Sequence, residues 1–200
     1  MPTEWDQRFD REDYLFGKAP NHFIAAEVGR LTPGSAVLSI ADGEGRNGVF
    51  LARQGHRVTS MDSSEVAQQK ARRLAAEHGV RLDYALADIA VWDWQPERYD
   101  AVVAVFIQFA SPDLRDRIFA GIKQTLRPGG LLLMEGYRPE QIAYGTGGPR
   151  REENLYTEAM LRTAFAGFEI IELKSYDAEV DEGMGHSGMS ALIDLIARKP

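Results

Sequence analysis

Short apolar runs alternate along the chain with stretches of helical periodicity, the pattern of repeated strand-helix units. Strands are predicted at Ala36 to Ile40, Val58 to Met61, Leu82 to Leu86, Ala101 to Ile107 and Leu131 to Glu135. The run from Ala101 to Ile107 is apolar at every position, which predicts a strand buried on both faces at the centre of a parallel sheet. Helices are predicted between and before these strands. Ile24, Val28 and Leu31 recur at helical spacing in Asn21 to Leu31, and a helix near Asn47 to Gln54 follows the first strand. Val66, Lys70 and Leu74 share one face of Glu65 to His78, and Leu114, Ile118 and Ile122 share one face of Pro112 to Thr125. Arg127-Pro128-Gly129-Gly130 reads as a turn.

Beyond Glu135 the pattern changes to a glycine-rich loop with Gly145-Thr146-Gly147-Gly148-Pro149, then a short helix from Thr157 to Phe165. Phe168 to Tyr176 and Ser190 to Ala197 form two last strands, and the acidic stretch between them is too short for a crossover helix. They are therefore predicted to pair antiparallel. No repeat or linker interrupts the pattern, so residues 1–200 are expected to form one doubly wound α/β domain. It divides into an N-terminal arm or lid (1–20), a cofactor-binding core (34–137) and an acceptor-side region (138–200).

Composition narrows the functional classes. The chain has no cysteine, which removes disulfides, thiolate nucleophiles and cysteine metal sites and suits a reducing, cytoplasmic setting. No metal site is expected. The longest apolar runs are too short to cross a bilayer, so no membrane partner is expected. Thirty acidic against 23 basic side chains give a net charge of -7, which repels a phosphate backbone. The tight basic pairs Arg72-Arg73 and Arg150-Arg151 read as solvated surface, so a small-molecule partner is favoured over nucleic acid. Oligomeric state is not readable from the sequence.

Candidate chemistry gathers at the carboxyl ends of the early strands, where an open α/β sheet binds its ligand. Ala41-Asp42-Gly43-Glu44-Gly45-Arg46-Asn47-Gly48 contains a G-x-G-x-x-G, and Asp62 ends the second strand about 20 residues on, as a ribose-binding acid does. An adenine dinucleotide and S-adenosylmethionine both fit that signature. Asp42 and Glu44 separate them, since a pyrophosphate on a helix N-terminus disfavours nearby anions whereas a sulfonium and an ammonium welcome them. Asp88, at the end of the third strand, is placed to accept from an adenine amine, with the Ile89 amide beside it; as a single residue it reads equally as a helix cap. Ser63 and Phe106, at the ends of the second and fourth strands, complete the cofactor-binding set.

The ordered motifs Trp5-Asp6-x-Arg8-Phe9, Tyr14-x-Phe16-Gly17, Pro20-Asn21, the glycine loop, Arg127-Pro128-Gly129-Gly130, Gly145 to Pro149 and Glu182-Gly183-x-x-His186 resemble small bacterial class I methyltransferases. The nearest named relatives are the tellurite-resistance and thiopurine methyltransferase-like enzymes. The resemblance implies a Rossmann-like seven-stranded sheet with the last strand inserted antiparallel between the fifth and sixth, and S-adenosylmethionine as cofactor. It implies further that the aromatic arm of Trp5, Phe9, Tyr14 and Phe16 folds over the cofactor, where the residues alone suggest a helix packed on the core. Arg46 would pair with the cofactor carboxylate, against the alternative of a surface arginine. The chain departs from the class pattern at Ser39, where an acid is usual, and at Ala41, where a glycine is usual; Asp42 and Glu44 stand near enough to substitute.

Candidates for a catalytic role are His186, Tyr14 and Arg8, while His22, His56 and His78 read as surface residues. No Asp/His pair stands out as a general base. The expected function is methyl transfer to a small molecule, leaning to a soft nucleophile such as a thiol or a selenium or tellurium species. The alternatives are a nicotinamide-dependent oxidoreductase and a protein that binds S-adenosylmethionine without turnover.

Overall fold

The computed structural model describes residues 3–200. One seven-stranded sheet runs through them: β1 (Ala36–Ile40), β2 (Arg57–Asp62), β3 (Asp83–Leu86), β4 (Tyr99–Val105), β5 (Leu126–Tyr137), β6 (Glu169–Asp181) and β7 (Ser187–Arg198). The spatial order is β3-β2-β1-β4-β5-β7-β6, with β1 to β5 parallel and β7 antiparallel to both its neighbours. The strand order reverses between β1 and β4, which opens a crevice at the carboxyl ends of the strands. β4 sits at the centre, and Ala101, Val102, Val103 and Ala104 are at most 1% exposed, as their unbroken apolar run requires.

Helices cover both faces. Ile118, Phe119 and Ile122 of α5 (Pro112–Thr125) and Leu161 of α7 (Glu158–Ala164) pack on Leu38, Ile40, Val102, Leu132 and Leu195. On the other face Ile24 of α2 (His22–Glu27) and Leu51 of α3 (Arg46–Arg53) meet Val37, Val103 and Leu133, and α4 (Glu65–Glu77) packs beside α3. Ser64 caps α4 by accepting from the Ala67 amide, and Thr157 caps α7 by accepting from the Met160 amide.

One expectation needs correction. Arg127 to Gly130 is no separate turn: the segment runs within β5, and its irregularity appears as a register shift against β4 between Tyr99 and Ala101. The Gly129 amide donates there to Lys199 O, so the segment keeps a sheet partner across the shift. The N-terminal arm begins as a helix, α1 (Glu4–Phe9), closed by a capping box in which Thr3 and Asp6 each accept from the other's amide.

Candidate active site

A cavity of about 760 Å³ lies over the ends of β1 to β5, within the size range of small-molecule sites. Its β1 wall is the glycine loop. Asp42 is buried there and accepts from three donors: Ser39 Oγ at 2.7 Å, Ser60 Oγ at 2.6 Å and the Gly48 amide at 3.1 Å. Burial nevertheless pushes its carboxyl up to about 6. A Cβ at position 48 would stand 2.3 Å from Asp42 Oδ2, so glycine is what lets α3 start this close to the carboxylate.

Asp62 joins β2 to the loop. Its Oδ2 accepts from the Gly43 amide and its Oδ1 from the Ser64 amide, both at 2.8 Å, and burial raises its carboxyl above the usual range. Each oxygen has a second lone pair left for a ligand hydroxyl. Ser63 and Ile89 line the same end of the cavity, as does Asp88, which is exposed and accepts from the Ala90 amide at 2.8 Å.

Arg46 and Asn47 form the wall at the start of α3. Arg46 Nη2 is paired with Glu182 Oε2 at 2.6 Å, with both side chains buried. Arg46 Nη1 is buried and has no partner. Asn47 Oδ1 accepts from the Asn21 amide, and Asn21 Nδ2 in turn donates to Glu135 and Glu182.

The β4 side of the cavity is aromatic. Phe106 directly follows β4 with a positive φ of 52°, a conformation unusual for a bulky residue and typical of strained functional positions. Its ring stacks on Tyr137 at 4.6 Å and on His186 at 4.4 Å, and Phe16 meets the other side of His186 at 4.6 Å. The Tyr137 hydroxyl shares a hydrogen bond with His186 Nδ1. Burial, with the charges of Arg46 and Arg8, holds His186 down to about 3, so the imidazole is neutral at physiological pH. Burial raises the Tyr137 hydroxyl at the same time.

α1 spans the crevice. Asp6 accepts from Ser64 Oγ at 2.7 Å on the β2 side, while Trp5 meets Phe109 edge-on at 5.9 Å on the β4 side. Arg8 lies over Trp5 at the cavity wall, and Phe9 touches the space beside Gly43. The arm also packs on the core, since Phe9 and Leu15 are buried against Ala67 of α4.

Three candidates fall away from the cavity wall. Glu44 is turned into a buried ion pair with Lys70 Nζ at 2.8 Å, so its charge is neutralised and Asp42 alone takes the part of the missing acid at Ser39. Gly45 packs on α4, where a Cβ would stand 2.5 Å from Ala71 Cβ. Tyr14 donates its hydroxyl to Lys70 O, which leaves it no route to a reacting atom. His56 also differs from the reading as a surface residue, being 8% exposed, whereas His22 and His78 are exposed. Ala41 lines the cavity at a positive φ of 48°, in the conformation the usual glycine adopts. Gln108, Phe109, Tyr137 and Glu182 were not singled out from the sequence as site residues; for Glu182 the motif with His186 was the available signal.

The sheet order, the crevice at the strand-order reversal and the loop-to-Asp62 bond define a Rossmann-like, doubly wound α/β architecture with its site over the early strands. A family model described as a methyltransferase domain matches residues 37–130. A ubiquinone biosynthesis O-methyltransferase of Pasteurella multocida is 30% identical over 120 residues, covering 55% of this chain and 49% of the relative. The chain spans about half the length of the curated relatives it matches first. Among solved structures, TehB from Haemophilus influenzae aligns with a TM-score of 0.72 at 21% identity, over 90% of this chain and 62% of that one. A structure described for the conversion of a disulfide bond into a thioacetal group during echinomycin biosynthesis aligns at 0.76 and 21% identity, over 94% and 85%.

The domain implies S-adenosylmethionine as cofactor, and the residues fit it. Arg46 Nη1 has no acceptor although Nη2 is paired with Glu182, and a cofactor carboxylate would supply one, while Asp62 keeps acceptor capacity where the ribose would lie. Among the described residues no helix is long and apolar enough to cross a membrane, and no cluster of His, Cys, Asp or Glu has the geometry to hold a metal ion.

Proposed function

We propose that this protein transfers a methyl group from S-adenosylmethionine to a small molecule that attacks as a soft, anionic nucleophile such as a thiolate or a selenium or tellurium oxyanion. The observation that carries the reading is the division of charge across the cavity. Its three carboxylates, Asp42, Asp62 and Asp88, all stand over β1 to β3. The wall over β4, β5 and the β6–β7 loop is Phe106, Gln108, Tyr137 and a neutral His186, with Arg8 of the arm above it and no carboxylate. A cation is therefore favoured on one side and a neutral or anionic acceptor on the other.

When bound, the cofactor supplies an electrophilic methyl group on a cationic sulfur. The protein's share is to hold Asp62 and Arg46 in fixed positions, to align an acceptor against the aromatic wall, and to exclude water under α1. His186 is a poor base: it is held neutral far below physiological pH, and Nδ1 is already engaged by Tyr137. An acceptor must then arrive in its own ionised form.

The test is to incubate the protein with S-adenosylmethionine and panels of thiols, selenium and tellurium oxyanions, phenols and amines, and to follow S-adenosylhomocysteine release. Turnover is expected with acceptors of the first groups, rising with pH along each acceptor's own ionisation. Turnover of amines alone overturns the acceptor assignment. Tight cofactor binding with no turnover on any panel favours the binding-protein alternative, and binding of a nicotinamide dinucleotide in its place favours the oxidoreductase.

A further inference from the structure

A guanidinium has five donors in one rigid plane, so the group that fixes one edge decides where the other edge points. Arg46 is fixed by Glu182, a residue 136 positions away in the chain at the base of the β6–β7 loop. Glu182 is itself immobilised. Its Oε1 accepts from the His22 amide at 3.0 Å and from Asn21 Nδ2 at 3.1 Å, while Oε2 takes Arg46 Nη2 at 2.6 Å. Its own amide donates to His186 O at 2.8 Å, which closes the loop.

Leaving a buried cationic donor unpaired is costly, and Arg46 Nη1 has no protein partner although the side chain is only 7% exposed and forms part of the cavity wall. One edge of the guanidinium is therefore left without an acceptor. We infer that Glu182 is a positioning residue: it sets the Arg46 guanidinium so that its free edge receives the carboxylate of the cofactor's amino-acid moiety. The inference rests on the S-adenosylmethionine reading. It assigns Glu182 no contact with the reacting atoms.

Two ligands separate this role from general support of the fold. S-adenosylhomocysteine carries the carboxylate, and 5′-methylthioadenosine keeps the adenosine and the thioether without it. By titration calorimetry, Glu182→Ala is expected to weaken S-adenosylhomocysteine about 10- to 100-fold and to leave 5′-methylthioadenosine within about twofold, the range of one charge-assisted hydrogen bond. Arg46→Ala should show the same selectivity, and the double variant should be no worse than Arg46→Ala, because Glu182 acts only through that side chain. Glu182→Gln, which keeps an acceptor oxygen and the side chain's volume, should restore part of the loss and decides the matter if Glu182→Ala does not fold. Equal weakening of both ligands, unchanged affinity for S-adenosylhomocysteine, or additive losses in the double variant would each overturn the assignment. A wild-type protein that binds neither ligand would instead overturn the cofactor reading itself, whatever the variants do.

Discussion

Ser39 donates its hydroxyl to Asp42 Oδ1 across 2.7 Å, and the two residues together do locally what a single acid at position 39 is expected to do. The carboxylate stands three positions further along the chain than that acid would, and the serine at position 39 is one of its donors. Ser60 on β2 supplies the second hydroxyl at 2.6 Å, so the carboxylate ties β1, β2 and the start of α3 at one point.

Removing that carboxylate leaves two hydroxyls and the Gly48 amide without their acceptor in a buried place. An unsatisfied buried group costs about 1–3 kcal/mol, and partial rearrangement of the serines offsets some of it. Asp42→Ala is expected to lower unfolding free energy by about 2–4 kcal/mol, with Asp42→Asn intermediate because one acceptor oxygen remains. Urea denaturation at pH 7 checks both. A change smaller than about 0.5 kcal/mol, typical of a surface substitution, would mean the loop does not depend on Asp42.

The arm gives a second expectation. Phe9 and Leu15 are buried, and Asp13 O accepts from Lys70 Nζ at 2.7 Å, so residues 3–16 cover a buried ion pair. Deleting them should leave the seven-stranded sheet intact by circular dichroism while lowering the melting temperature and weakening acceptor turnover. Loss of all cooperative unfolding would show that the arm is part of the core and not a cover. A truncated protein with unchanged turnover would remove its role at the cavity.

Acid should act on stability through His186. Its folded-state value of about 3 lies below the ordinary 6.5, so the unfolded chain binds the proton first and this residue's contribution to stability falls as pH drops below 6.5. Between pH 6.5 and 4.5 this one residue should remove about 2–3 kcal/mol, at 1.36 kcal/mol per pH unit. Asp42 and Asp194, each raised to about 6, work the other way, because their favourable protonated forms fill as pH falls from 6 towards 4. Comparison with a variant isolates the histidine. Between pH 6.5 and 4.5 the change in stability should be more favourable in His186→Gln than in the wild type by about 2–3 kcal/mol, measured by urea denaturation at matched ionic strength. Parallel curves would mean that His186 is not held neutral.

The strands were legible because a parallel sheet buried on both faces demands unbroken apolar runs, as at Ala101 to Val105. The insertion of β7 beside β5 was not: two antiparallel strands at the chain's end fit either edge position, and only the family resemblance ordered them. A helix in the arm was legible from its aromatic spacing, and Thr3 and Asp6, whose spacing is a capping box, mark where it starts. Glu44 misled because its charge was assigned to the ligand when its partner lay 26 residues on. The sign was Lys70 itself, a charged residue on the apolar face of α4 that had to be paired if it was buried. Asp42 and Asp62 stood out as acids at strand ends, yet their hydrogen bonds depend on which serines and amides the sheet brings beside them, and local spacing does not contain that.

Asp62 and Asp88 separate a carboxylate that is both ligand and structure from one that is ligand alone. If the ribose hydroxyls donate to Asp62, each charged hydrogen bond is worth about 1.5–3 kcal/mol. Asp62→Ala should then weaken S-adenosylhomocysteine by about 2–4 kcal/mol, roughly 30- to 1000-fold in Kd. The same substitution frees the Gly43 and Ser64 amides, so the cofactor-free protein should also lose roughly 1–3 kcal/mol of stability. That loss would not be expected of a residue simply lining a solvent-reachable crevice. Asp88 is exposed and holds only the Ala90 amide within its own turn, where water can replace it. Asp88→Ala should therefore cost less affinity than Asp62→Ala and change stability by less than about 0.5 kcal/mol. Asp62→Asn retains one acceptor oxygen and should recover stability more fully than affinity, since the ribose is held by charge and the loop mainly by geometry. Calorimetry on the three variants, with urea denaturation of each, reads both axes. Equal affinity losses for positions 62 and 88, or an Asp62→Ala protein that binds S-adenosylhomocysteine as the wild type does, would mean the adenosine is held elsewhere.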